Sequence, residues 1–316
     1  MARLGFDTLC DIGVESTYGL EAVSYDAIPI LSESLTPELD QVRAEILNRG
    51  KLTTQYDTSG LRRVTGSIEG LLYFDTADDK GKLAGLGTLL LLALGGEASD
   101  TNEHTYYPAK ALPSGTLRLK PKSGSIAKFL GVKVNTLTIS GEKGAELRYS
   151  AEVIGREHES GDTPTTLPTT LVPITFMDLA VSIHTSNVQP DSFELTINNN
   201  LITDMYANSD KILEPERNGW LEVSLRMHFP RITSVEETLI DYAENHSPVN
   251  VTITASRIGV GYTYSLEIFL KDVIFHAYTD HVGSPGVVPL ELTGAPSAIA
   301  EGQTEFYIKY SKVSST

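Results

Sequence analysis

The chain has 316 residues, 41% of them hydrophobic, with 41 acidic against 25 basic side chains and a single cysteine. That is enough for two domains or one large β domain, and too apolar for a disordered chain. The acidic excess of 16 disfavours nucleic-acid capture, and lone Cys10 excludes an internal disulfide framework.

Residues 1–27 read as an N-terminal arm, glycine-containing and weakly periodic, with no charged-then-apolar signal pattern. The chain is therefore expected to be made and kept in a cytoplasm. Residues 28–35 (IPILSESL) read as a strand and 36–60 as a long polar loop. Residues 62–74 (RRVTGSIEGLLYF) alternate as a strand, followed by a polar turn at 75–81. Leu83–Leu94 reads as a helix closed by Gly95–Gly96. Its apolar residues run almost all round, so it should be well buried, and it is short of the ~20 residues that span a bilayer. No membrane insertion by this chain is expected.

A loop is expected at 97–114, then strands at 115–120, 132–141 and 145–156, with a hairpin turn at Glu142–Gly144. Residues 157–173 contain Pro164, Pro168 and Pro173 and read as an extended linker. Beyond it lie a strand at 193–200, a loop at 202–218 and a strand at 219–229. A helix at 235–245 is introduced by a capping box, with Ser234 accepting from an amide and Glu237 reaching back. Strands at 249–255 and 262–278 follow. Residues 283–316 read as a C-terminal arm ending in the alternating strand EFYIKY.

The chain repeats itself. Residues 62–74 match 217–229 at an offset of 155 positions. Gly66, Ile68, Gly70, Leu72 and Phe74 then fall on Leu221, Val223, Leu225, Met227 and Phe229. The other parity is polar: Ser67 falls on Glu222 and Glu69 on Ser224. Each strand leads through a turn into one helix and then more strands. The expected fold is mainly β: two tandem β-sandwich or partial-barrel units, 28–156 and 174–282, each with one flanking α-helix. Ile68, Leu72, Phe74, Val223, Leu225, Met227 and Phe229 are the candidate core strand residues.

No catalytic constellation emerges. The seven histidines lack zinc spacing, and His276 with His281 is better read as a solvated turn. Asp75, Asp78 and Asp79 lack the remaining ligands of a calcium loop. Gly85-x-Gly87 and Gly259-x-Gly261 lack a third glycine, and Ser125-x-x-Lys128 lacks its companion motifs. Trp220 and the fourteen tyrosines suit packing or an interface more than a sugar platform. No catalytic residue, cofactor or metal is expected, and the chain reads as a non-enzyme.

Several segments together resemble the tail tube proteins of long-tailed bacteriophages: Gly-Leu-Glu (19–21), Ser-Glu-Ser-Leu (32–35), Val-Thr-Gly-Ser-Ile-Glu-Gly (64–70), Leu-Gly-Gly (94–96), Leu-Pro-Ser-Gly-Thr (112–116), Leu-Thr-Ile-Ser-Gly (137–141) and Leu-Thr-Ile-Asn-Asn-Asn-Leu (195–201). The resemblance covers nearly the whole chain. It implies a virion protein, made in the host cytoplasm, whose rings join inner sheets into one barrel and stack into a hollow tube. Phage DNA would pass through without specific binding. Single-domain members form hexameric rings, so a duplicated chain implies a trimer with pseudo-sixfold symmetry. A tape measure protein, a tail terminator and baseplate or distal tail proteins are the implied partners. The loops 36–60 and 202–218 and both arms are expected to reach the next ring. Ser67, Glu69, Glu152, Glu222, Ser224 and Glu267 are the lumen-facing candidates; alternation fixes their parity but leaves an outer solvated face open. The alternatives are a related secretion-system tube or terminator protein, and a β-sandwich that binds carbohydrate or a receptor.

Overall fold

Alternating apolar and polar residues make strands of most of this chain. A computed structural model describes residues 8–44, 56–75, 85–120, 125–206, 209–259, 262–280 and 287–314. The first half contains β1 (Leu9–Val14), β2 (Asp26–Ala27), β3 (Ser32–Glu33), β4 (Thr36–Ala44), β5 (Tyr56–Leu71) and β6 (Tyr73–Asp75). Helix α1 (Gly85–Leu94) leads to β7 (Gly95–Asp100), β8 (Glu103–Pro108), β9 (Gly115–Lys120), β10 (Ala127–Glu142), β11 (Arg148–Gly155) and β12 (Glu157–Ser160). The second half contains β13 (Leu171–Pro173), β14 (Leu179–Ile183), β15 (Ser186–Val188), β16 (Ser192–Asn198) and β17 (Glu222–Phe229). Helix α2 (Ser234–Glu244) then leads to β18 (Val249–Ile258), β19 (Tyr262–Thr279), β20 (Leu290–Pro296) and β21 (Phe306–Ser314).

One antiparallel sheet unites both halves. Its order is β3/β4–β5–β11–β10–β16–β17–β20–β19. The halves join where β10 pairs β16, from Thr136↔Asn198 to Glu142↔Ser192. No pairing among the described residues joins the two ends of this sheet, so it is open. The 16-residue β10 and the 18-residue β19 extend beyond their pairings in this sheet. Their N-terminal parts cross into a second layer. There β10 pairs β9 and β12, and β19 runs between β18 and β21.

The core lies between the layers. Ile68, Leu72, Phe74, Val223, Leu225, Met227 and Phe229 are all buried in it. Each such side chain contributes about 1.5–3 kcal/mol of burial. Nine of the ten α1 residues are buried with them. Gly95, at φ +97, ends this helix in a conformation that favours glycine.

Several elements differ from expectation. The loop expected at 36–60 instead contains β4 and the start of β5, paired antiparallel, and residues 45–55 lie outside the described residues. The loop at 97–114 begins as the β7–β8 hairpin. Only Ser32–Glu33 of the expected strand 28–35 is a strand. Strand 62–74 breaks at Leu72, after which β6 turns away to pair β13. Both expected arms carry more sheet than expected: β1 pairs β9, and β20 pairs β17 and β19, while β21, at the expected strand EFYIKY, pairs β19 and β8. The linker 157–173 is tied in at both ends by β12 and β13. The described part of the 202–218 segment is mostly irregular, with Lys211 bridged to Arg62 and Arg217 to Leu201.

The cap of α2 is a correction. Thr233, in extended backbone, is the N-cap, and Val235 N–H donates to its hydroxyl. Glu236 closes the box, accepting from Thr233 N–H at 2.8 Å. Thr233-x-x-Glu236 and Ser234-x-x-Glu237 fit the same pattern one residue apart, and the backbone conformation decides between them. Thr233→Ala is expected to lower stability by about 1 kcal/mol in urea unfolding. Ser234→Ala should leave the midpoint nearly unchanged.

The repeat is real in the hydrogen-bond network but sits in a different register. A bulge skips Asn135 where β10 meets β11, and another skips His276 where β19 meets β20. From the first bulge, one row of partners runs Thr136–Glu152–Ser67–Ser34. From the second it runs Ala277–Thr293–Arg226–Glu194. Ser67 therefore answers to Arg226, and Ile68 to Met227 and not to Val223. Ser32-Glu33-Ser34-Leu35-Thr36 answers to Ser192-Phe193-Glu194-Leu195-Thr196, sharing Ser, Leu and Thr. Strand side chains alternate with period two, so an even slip keeps apolar on apolar and sequence pattern alone does not reveal it.

Candidate functional site: the polar face of the shared sheet

With one face of the eight-strand sheet turned to the core, the opposite parity makes a continuous polar surface. Its rows can be followed strand by strand. One row contains Ser67, Glu152, Thr136, Asn198 and Glu222. The next contains Ser32, Glu69, Ser150, Thr138, Thr196 and Ser224. A third contains Arg148, Ser140, Glu194, Arg226, Thr293 and Ala277.

Five of the six lumen candidates, Ser67, Glu69, Glu152, Glu222 and Ser224, thus share one face of one sheet. Ser67 and Glu152 are direct cross-strand partners. Glu267 does not join them. It lies on the second-layer part of β19, opposite Thr254 and Lys309, and accepts from Tyr307 Oη at 2.5 Å. Its parity fits, but β19 has not yet entered the shared sheet at that point.

Hydroxyls hold much of this face together. Ser32 Oγ donates to Glu69 at 2.8 Å, the Ser34 and Ser67 hydroxyls meet at 3.1 Å, and those of Thr138 and Thr196 at 3.3 Å. Two of its cations are matched locally: Arg226 Nε donates to Glu291 at 2.6 Å, and Arg63 Nε to Glu38 at 2.5 Å. Hydrogen bonds from Thr65 and then Arg63 hold the Glu38 carboxyl below the usual glutamate range. Glu38 therefore stays ionised to lower pH than a free glutamate. Such a face carries negative charge and offers phosphates few unmatched cations.

Sequence reasoning missed the middle of this surface. Thr136, Thr138, Ser140, Thr196 and Glu194 were all present in alternating strands, and the signal was their shared parity with Ser67 and Glu222. At one end of the face, Arg148, Glu194, Arg226, His228 and Glu291 rim an open depression of about 580 Å³. His228 Nδ1 lies 2.5 Å from Asp191 there.

The remaining motifs disperse. Gly85 and Gly87 are buried in the first turns of α1. Lys128 pairs with Glu21 and Glu159. Asp75 is buried and accepts from Thr170 at 2.7 Å, whereas Asp78, Asp79 and His281 lie outside the described residues. Trp220 is 88% exposed beside the start of β17. Among the described residues, no group of three His, Cys, Asp or Glu side chains is placed to hold a metal. No described helix is long and apolar enough to cross a membrane.

A family model described as phage tail tube protein matches residues 5–302. No curated protein sequence matches the chain. The match spans nearly all of the chain, which therefore belongs to the phage tail tube family: a structural component of the virion tail, built into a multi-subunit tube.

Proposed function

We propose that this tail tube protein is the major tube subunit, and that three copies close into a pseudo-sixfold ring. Rings stack into a hollow tube, and phage DNA leaves the capsid through it. The polar face lines the lumen, with Ser67, Glu69, Glu152, Glu222 and Ser224 turned toward the DNA. The observation that carries this reading is the sheet itself: two repeated units already joined edge to edge, one face apolar and covered, the other polar along its whole length. An acidic, hydroxyl-rich wall lets a polyanion pass without capture. Open sheet edges invite pairing, and a head-to-tail contact that closes converts them into a ring. The tube would end on a tail terminator, rest on baseplate or distal tail proteins, and enclose a tape measure protein before DNA enters.

Electron microscopy of the purified protein over a concentration series, with native mass on the same sample, tests this. Rings or stacked tubes with a unit mass of three chains are expected. A monomer that persists at every concentration overturns the reading.

A further inference from the structure

We infer that the ring seam is a residue-specific strand pairing. The C-terminal part of β19 in one copy adds to the β3/β4 edge of the next, with Thr279 opposite Thr36. This rests on the ring reading and specifies its contact.

The two ends of the shared sheet are β3/β4 and the last part of β19. Among the described residues, β3 and β4 pair only with β5. The pairing of β18 along β19 stops at Val273, and from Ile274 onward only β20 lies alongside. Each end therefore presents a strand edge with no partner among the described residues.

The internal repeat says what covers them. By the bulge-matched register, the end of β19 is the counterpart of β10, and β3/β4 is the counterpart of β16. Inside the chain these counterparts pair with each other. Carrying that register across to a neighbouring copy sets Ala277 opposite Glu38, Tyr278 opposite Pro37, and Thr279 opposite Thr36. The internal seam contains the pair Thr138↔Thr196, whose hydroxyls meet at 3.3 Å. Thr279 and Thr36 are the counterparts of those two residues, so both seams carry a threonine pair at the same point.

Exposure agrees. Thr138 and Thr196 are half-buried, whereas Thr279 and Thr36 are exposed. Leu137 is fully buried, while its counterpart Tyr278 remains 38% exposed. Asn199 N–H bonds the Asn135 carbonyl across the internal seam, so Thr196 lies at a position that does not exchange ladder bonds there. By the same register Pro37, like Ile197, directs its backbone into the seam. It supplies a carbonyl and no N–H, which a free edge strand tolerates and which discourages indiscriminate pairing before assembly.

Opposed residues at such a position approach to about 4.5 Å between Cα atoms, within disulfide range. The native thiol, Cys10, is 1% exposed and does not compete. The test is the full-length Thr36→Cys/Thr279→Cys protein, oxidised mildly and run without reductant, beside Thr36→Cys/Tyr278→Cys as a register control. Mixing the two single variants, Thr36→Cys and Thr279→Cys, gives a second readout that needs only one seam.

The expected result is a reductant-sensitive ladder ending at three covalently linked chains, at least tenfold stronger than in the control. The mixed single variants should give dimers only. A ladder ending at six supports the seam and overturns the three-chain ring. If wild-type rings form but neither experiment cross-links above the control, the seam is wrong and the tube reading stands. If wild-type protein forms no ring at all, both fall.

Discussion

An Asp11→Ala chain is expected to unfold with about 3–5 kcal/mol less stability than the wild type, because it strands a buried cation. Asp11 and Arg118 face each other across β1 and β9. The Asp11 side chain has no exposed surface, and that of Arg118 is 10% exposed. The guanidinium is held in a fork, Nε donating to Oδ1 at 2.9 Å and Nη2 to Oδ2 at 2.6 Å. Its carbon sits 3.4 Å from the centre of the Tyr25 ring. The hydrogen bonds that Arg118 donates to Asp11 push its pKa further up, against the opposing effect of burial. Asp11 also accepts from Thr165 N–H at 2.7 Å, which pins the segment between the two halves onto the first strand.

Alanine would remove the counter-ion, both fork bonds and that pin together. Replacing both partners, as in Asp11→Leu/Arg118→Met, should recover most of the loss, since apolar pairs substitute for buried ion pairs at little net cost. Urea unfolding of the three proteins checks this. A loss below about 1 kcal/mol in Asp11→Ala would show that Arg118 is not left as a stranded buried charge.

What the sequence revealed follows from where water lies. Strands with one face in the core show strict alternation, and Ile68, Val223, Leu225 and Met227 could be placed by it. The β4–β5 and β7–β8 pairs contain polar runs that look like loops, because β4 and β7 lie at the margin of the pairing and are held through backbone groups common to every residue. In the N-terminal arm β1 is six residues long and buried at four successive positions, so it shows no alternation, whereas β21 shows it and was legible as EFYIKY. Thr233 and Ser234 are chemically interchangeable caps, so only backbone geometry separates them. Period-two alternation concealed a four-residue error in the repeat. It also could not say that β19 changes layers between Glu267 and Ala277, which sets Glu267 apart from the face that the other five residues share.

Asn199 is the second position where one substitution should be costly, and it acts at the junction of the two halves. Its side chain is fully buried just beyond β16. Nδ2 donates to the carbonyls of Ala93 at 2.8 Å and Val134 at 3.0 Å, one in the last turn of α1 and one in β10. Oδ1 accepts from Arg217, at 3.1 Å from Nε and 2.6 Å from Nη2. Arg217 Nη1 continues to the Ala109 carbonyl at 2.6 Å. One amide thus uses both ends to tie the first half's helix and central strand to the second half, and burial alone pulls the Arg217 pKa down. Asn199→Leu fits the volume but orphans two buried carbonyls and leaves Arg217 one acceptor fewer. At roughly 1–3 kcal/mol per unsatisfied group, a loss of about 3–5 kcal/mol is expected in urea unfolding. Adding Arg217→Met should recover only the part owed to the guanidinium, because the Ala93 and Val134 carbonyls remain unpaired. Full recovery in the double variant would instead place the whole cost on the stranded charge and remove the helix-to-strand tie from the account.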